Sequence, residues 1–257
     1  MNDILIAKRV NKKVMLDKHN ELHILKDVQL TIKKGEFISI MGPSGSGKST
    51  LLYNISGMDR MTSGQITFMG TMLGQLDEEQ LAEIRLHHMG FIFQDIHLLK
   101  NLSIIDNIVF HTLVSQQFDK KDAYEKAKNL LKITGIDHLA NNRITQASGG
   151  QLQRVGICRA LMNDPEIIFG DEPTGALDSK AAKEILEILA RINAQGTTVV
   201  LVTHDMKVAA KTERVLFMED GKIISEKRLG KPQRNDDSKL REEIIMNWFM
   251  ENEQKPL

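Results

Sequence analysis

At 257 residues, with 41% hydrophobic and 26% charged residues, the chain is long enough for one large or two small cores and has an ordinary globular composition. Its 34 Lys and Arg balance 34 Asp and Glu, so no net field draws it to nucleic acid or to an anionic membrane. The one cysteine, Cys158, excludes an intrachain disulfide and a Cys-rich zinc site.

No apolar run approaches the roughly 18–20 residues that a membrane-spanning helix needs. The longest, such as Val199-Val200-Leu201-Val202, are of strand length. Met1-Asn2-Asp3-Ile4 offers no basic region leading into a long apolar segment, so no signal peptide is expected. Cys158, within Val155-Gly156-Ile157-Cys158-Arg159-Ala160-Leu161, reads as a small buried core residue. The chain is expected in the cytosol.

In chain order, Phe37-Ile38-Ser39-Ile40-Met41 is an apolar run that suits a buried strand. It ends at Gly42-Pro43-Ser44-Gly45-Ser46-Gly47-Lys48-Ser49, which fits the phosphate-binding pattern G-x-x-x-x-G-K-[ST] at every fixed position. After Thr50, Leu51-Leu52-Tyr53-Asn54-Ile55 starts a helix; strand, glycine-rich turn and helix are the context that this loop requires. From about 75 to 163 the pattern is mainly helical, an insertion into an α/β core. Ile167-Ile168-Phe169 and Thr198-Val199-Val200-Leu201-Val202 are two further buried strands. Between them Ala182, Ile185, Ile188, Leu189 and Ile192 recur at helical spacing, a βαβ unit that puts both ends of the chain in one largely parallel sheet. A polar break runs from Gly230 through Pro232 to Asp237. Behind it, after caps at Asp237 or Ser238, Leu240, Ile244, Ile245, Trp248 and Phe249 form an apolar stripe. That stripe either folds back on its own core or meets a second protomer or membrane partner. No repeat or sustained heptad is visible.

Three groups of residues carry chemistry. The loop glycines let backbone N–H groups curl around phosphate oxygens at a helix N-terminus; Lys48 reaches the β- and γ-phosphates and Ser49 offers its hydroxyl to Mg²⁺. Asp171 and Glu172 follow an apolar strand, where carboxylates can face a nucleotide in the sheet crevice. Asp171 suits Mg²⁺, and Glu172 suits the base or orienting group for an attacking water. His204 follows the next strand within reach of the γ-phosphate, and Gln94 stands where core gives way to helices, placed to sense Mg²⁺. The third group is Ser148-Gly149-Gly150-Gln151, an N-cap with bare backbone at the start of a second helix, suited to an anion. The first loop already cradles the phosphates. A second cradle makes sense if it closes over a nucleotide held by another copy, so that two copies head to tail form two composite sites.

Taken in order, these elements resemble the nucleotide-binding subunit of ABC transporters, over roughly residues 4–225. GPSGSGKST stands for Walker A, Gln94 for the Q-loop, ASGGQ for the signature and IIFGDEP for Walker B. Ala176-Leu177-Asp178 stands for the D-loop and His204 for the switch histidine. The resemblance implies an α/β P-loop NTPase, with an ABC ATPase core of mainly parallel sheet, N-terminal antiparallel strands and a helical subdomain. Residues 1–230 form the ATPase domain, with the core at about 1–93 and 165–230, the helical subdomain at about 94–164, and a C-terminal helical extension at 231–257. It implies ATP and Mg²⁺ as cofactors, with Ser49, Gln94 and Asp171 toward the metal, residues Gly42 to Thr50 and Ser148 to Gln151 toward the nucleotide, and Glu172, His204, Lys48 and Gln94 toward catalysis. It also implies a head-to-tail homodimer with Asp178 at its interface, and a permease whose coupling helix enters a groove near Gln94-Asp95-Ile96-His97-Leu98-Leu99. The location is peripheral, on the cytoplasmic face of the cell membrane.

Within the family, Gly170-Asp171-Glu172-Pro173-Thr174-Gly175-Ala176-Leu177-Asp178-Ser179 resembles the branch serving lipoprotein release, macrolide export and antimicrobial-peptide resistance, and its GALDS form leans toward the last. Two features depart from the family pattern. Ala147 stands where Leu usually precedes SGGQ, and no Phe, Trp or Tyr precedes Phe37 to stack on adenine. Val14, Met15, His19 or His23 substitute there, with weak discrimination of ATP from GTP expected. Two other readings share the ATP engine. One is a regulatory or mechanical ATPase that signals through a membrane partner without moving substrate. The other, a DNA-repair or chromosome-structure ATPase, lacks support, since the chain has no long coiled coil, no zinc cysteines and no basic surplus.

Overall fold

The computed structural model describes residues 2–17, 20–114, 118–232 and 238–253. Its strands and helices are, in order, β1 (Asp3–Met15), β2 (Glu21–Lys33), β3 (Phe37–Met41), α1 (Lys48–Ile55), β4 (Ser63–Phe68), β5 (Thr71–Met72), α2 (Glu78–His88), β6 (Met89–Phe93) and α3 (Ile104–Val114). The second half holds α4 (Lys120–Ile133), α5 (Gly149–Leu161), β7 (Ile167–Asp171), α6 (Ser179–Ala194), β8 (Thr198–Val202), α7 (Met206–Ala209), β9 (Arg214–Glu219), β10 (Lys222–Arg228) and α8 (Ser238–Glu253). The chain divides into two compact units, Met1–Leu81 with Thr198–Leu257, and Ala82–Thr197.

In the first unit β3 lies between β8 and β9 and runs parallel to both, while β10 returns antiparallel to β9. Every residue of β3 and β8 is buried, as parallel strands covered on both faces must be, and this is why both read as continuous apolar runs. Strand β10 alternates instead between exposed and half-buried residues. The N-terminal strands make a separate antiparallel sheet in the order β2-β1-β4-β5. The amide of Lys26 donates to the carbonyl of Gly221, linking β2 to the β9–β10 turn.

Helix α8 folds back onto this unit. Ile245 and Trp248 are buried against Met41, Ala209, Val215 and Phe217, with Phe249 packed beside them. The rings of Trp248 and Phe249 stand edge-on to Phe217, with centroids 6.1 and 4.9 Å away, an arrangement that suits aromatic quadrupoles. Burying one such aromatic side chain is worth about 1.5–3 kcal/mol. Of the two readings of the apolar stripe, packing on the chain's own core is the one observed. Leu240, at the start of the stripe, stays exposed. The proposed cap Ser238 is the first residue of α8, and Asp237 lies outside the described residues.

In the second unit β6 runs parallel to β7, and α3, α4 and α5 enclose a core that includes Ile104, Ile108, Ala127, Leu131, Val155 and Cys158. Cys158 is fully buried beside the Thr134 hydroxyl, and burial pushes its thiol up to about 12. Ala147 packs at the edge of the same core, so its short side chain affects packing. Helix α6 buries Ile185, Ile188, Leu189 and Ile192 on one face. Gly196, at φ +106°, turns the chain just beyond its end.

Candidate active site

Within the first unit, the loop after β3 and the loop after β8 open at the same end of the sheet. Ile40 pairs with Val202, so Gly42 and His204 stand two residues further on at the same level of neighbouring parallel strands. Carboxyl ends of parallel strands are where an α/β sheet binds its ligands. Gly42 permits no side chain, because a Cβ there would lie 1.9 Å from the carbonyl oxygen of Met218. Gly45, at φ +80°, has open space around it, so its backbone is accessible from outside. Gly47 adopts φ +97° at the N-cap of α1 and its carbonyl accepts from Leu51. Pro43, Ser44 and Gly45 are exposed, and Ser49 and Thr50 are half-buried on the first turn of α1.

Lys48 is buried, and its ammonium donates to the carbonyls of Gly42 and Pro43 at 2.9 and 2.8 Å. The charge is thereby held against the backbone of the loop. The hydroxyl of Ser46 is buried without a hydrogen-bond partner. A loop of donors, a buried cation and an unsatisfied hydroxyl at a helix N-terminus fit a polyphosphate. His204 is exposed, next to Asp205, whose carboxylate accepts from the Lys207 amide and caps α7.

The second unit brings Gln94 and Glu172 together. Phe93 pairs with Asp171 across β6 and β7, so Gln94 and Glu172 each stand one residue beyond. A Cβ added to Gly175 would lie 3.2 Å from Gln94 Nε2 and 3.3 Å from Glu172 Oε2, which places both side-chain ends around that glycine. Glu172 has a left-handed backbone, φ +46°. For a non-glycine residue this costs on the order of 1 kcal/mol, and such conformations cluster at functional sites. The turn that holds it closes through a bond from the Gly175 amide to the Glu172 carbonyl at 3.0 Å. Asp171 and Glu172 are both half-buried.

Ser148 caps α5. Its hydroxyl accepts from the Gln151 amide at 3.4 Å, and the Gln151 side chain accepts from the Ser148 amide at 2.8 Å. Ser148 and Gly149 are exposed at this helix start. Asp178 has a local task, because its carboxylate caps α6 by accepting from the amides of Lys180 and Ala181 at 2.9 Å. Two further residues position these elements without having been singled out in the sequence. Arg154 of α5 pairs with Glu184 of α6 and donates to the Thr134 carbonyl. Gln153, buried, donates to the Phe93 carbonyl directly before Gln94. Nothing in their spacing marks them, since each acts through contacts distant in sequence.

Of the candidates for the base platform, Val14 pairs across the strands with Leu22 at the exposed tip of the β1–β2 hairpin, and Met15 beside it is exposed. His23 is engaged with the Asn11 side chain at 2.9 Å. His19 lies outside the described residues.

Residues 25–175 match the family model described as ABC transporter. The chain belongs to the ABC transporter family. Among curated relatives, this cassette is 43% identical over 206 residues to the macrolide export ATP-binding/permease protein MacB of Pasteurella multocida, covering 80% of this chain and 32% of that protein. It is 47% identical over 203 residues to the probable syringafactin export ATP-binding/permease protein SyfD of Pseudomonas syringae pv. syringae, covering 79% and 31%. The cassette therefore spans about a third of the length of the curated relatives that it matches. Among solved structures, it is similar to the dimeric ATP-binding cassette MJ0796 in a post-hydrolysis state with ADP and Pi, with a TM-score of 0.82 and 39% identity over 88% of this chain and 98% of that one. It is also similar to cbiO1 of Clostridium perfringens, with a TM-score of 0.80 and 26% identity over 98% and 94%. The cassette is an ATPase with the P-loop ABC fold, on the branch that holds MacB and SyfD. Among its described residues no helix is long and apolar enough to cross a membrane.

Proposed function

We propose that this cassette is the ATP-hydrolysing part of an exporter. Two copies bind two MgATP at a head-to-tail interface and drive an integral-membrane permease from the cytoplasmic face, in export of or resistance to antimicrobial compounds. The supporting observation is the duplication of phosphate-ready helix starts in one chain. The P-loop precedes α1, and Ser148 caps α5 with two glycines beside it. A single nucleotide already held by the first has no use for the second unless another copy supplies it. Residues 1–230 form the ATPase domain, with the core at about 1–93 and 165–230, the helical subdomain at about 94–164 and the extension at 231–257.

In this reading the backbone from Gly42 to Thr50 and the Lys48 ammonium hold the β- and γ-phosphates, and Ser148 to Gln151 complete the site from the opposite protomer, with Asp178 beside that interface. Ser49, Gln94 and Asp171 would hold Mg²⁺, which neutralises phosphate charge when bound. One carboxylate with neutral oxygens suits Mg²⁺ shared with a nucleotide better than a dedicated protein cage, and among the described residues no cluster of three or more His, Cys, Asp or Glu forms such a cage. Glu172 accepts a proton from, or orients, the attacking water. His204 contacts the γ-phosphate. The coupling helix of the permease enters near residues 94–99.

Glu172→Gln tests this directly. Turnover should fall by about 10²–10⁴-fold, while ATP binding is kept and a closed dimer accumulates in size-exclusion chromatography. A variant that stayed monomeric at saturating ATP and Mg²⁺ and hydrolysed normally would refute the composite site.

A further inference from the structure

The segment that follows His204 cannot hold its own shape. Helix α7 has four residues, far below the length at which a helix is stable alone. Its N-terminal end is fastened by Asp205, adjacent to His204. Its C-terminal end is fastened from the tail. Arg241 of α8 is buried, and its guanidinium donates to the carbonyl of Ala210 at 2.7 Å and to that of Thr212 at 2.9 Å. It also donates to the carbonyls of Leu229 and Gly230 at 3.2 and 3.0 Å. Ala210 is the C-cap of α7, so a fixed cation stands at the C-terminal end of the helix. The planar fork of Arg sets direction as well as charge. The first turns of α8 also face the switch loop across an open groove of about 700 Å³, with His204 and Met206 on one wall and Lys239, Glu242 and Met246 on the other.

We propose that Arg241 is a positioning residue for ATP hydrolysis. By holding α7 from its C-terminal end, it sets the direction in which the preceding loop presents His204. This rests on the assignment of His204 to the γ-phosphate. The tail is then part of the catalytic apparatus. The Thr212 hydroxyl also bonds Ser39 of β3 at 3.0 Å, so losing Arg241 loosens α7 without releasing it, and the expected loss of turnover is partial.

The test uses the full chain. Arg241→Gln should lower kcat about tenfold, equivalent to about 1.4 kcal/mol of transition-state stabilisation, with KM for ATP and equilibrium nucleotide affinity within about twofold of the parent. In a His204→Ala background the same substitution should have no further effect, because the group that it positions is gone. Wild-type kcat in Arg241→Gln, or a further tenfold loss on top of His204→Ala, would overturn the proposal while leaving the role of His204 standing. Wild-type turnover in His204→Ala would remove the underlying assignment and the proposal with it. Should Arg241→Gln not fold, Arg241→Lys with hydrogen exchange decides. The amides of Val208, Ala209, Ala210, Lys211 and Thr212, all bonded within this segment, should exchange faster, with β3 unchanged. Unaltered protection there would overturn the proposal.

Discussion

Gly149 and Gly150 separate what the signature does for folding from what it does for association. A Cβ at Gly150 would lie 2.9 Å from the Cβ of Ala181, a distance that real Cβ atoms do not adopt. Both atoms are fixed to helix backbones, α5 and α6, so relief requires the helices to part by several tenths of an ångström. Overpacking of this kind costs about 1–3 kcal/mol. Against it stands the better helix propensity of Ala, about 0.8–1 kcal/mol. The net expectation for Gly150→Ala is a loss of up to about 2 kcal/mol, or a few degrees in Tm. At Gly149 the added Cβ meets only Leu177 Cδ2 at 3.8 Å, ordinary van der Waals contact, so Gly149→Ala should be neutral or slightly stabilising. Urea unfolding followed by far-UV circular dichroism measures both. ATP-driven dimer formation in a Glu172→Gln background measures the second role, and loss of association in the stably folded Gly149→Ala would place the defect at the contact surface. Equal stability of the two variants, or a more stable Gly150→Ala, would refute the packing argument.

The nucleotide base should be weakly discriminated, because the hairpin tip offers Val14 and Leu22 instead of a stacking aromatic ring. Comparable ATP and GTP turnover in a direct phosphate-release assay is expected, and a large ATP preference would contradict it. His111 is pushed below its ordinary 6.5 by burial and secondarily by the Arg159 charge. As pH falls through 6.5 the unfolded chain takes up this proton before the folded one, so stability is greatest above 6.5 and declines below it. His111→Gln should narrow the difference in urea midpoint between about pH 7.5 and about pH 5.5, and an unchanged difference would count against the assignment.

The motor was legible in the sequence because its parts are local. The P-loop, the Ser148 cap and the strand ahead of Asp171 each need only a few consecutive residues of the right type, and short-range steric and hydrogen-bonding rules act on them directly. Residues 37–41 and 198–202 became strands where their continuous apolar runs predicted. The sequence also marked Cys158 as core.

What only the tertiary structure decided concerns contacts between segments far apart in the chain. An apolar stripe states that something will cover it, and the identity of the cover, here Met41, Val215 and Phe217 over Ile245 and Trp248, depends on topology. That the Asp178 carboxylate also caps its own helix is visible only in the structure. The left-handed backbone of Glu172 is imposed by the turn through Gly175, since nothing in a glutamate prefers it. Arg241 carries no motif at all: a guanidinium acquires its role from the carbonyls that the fold gathers around it, and those of residues 210, 212, 229 and 230 meet only once the chain has folded.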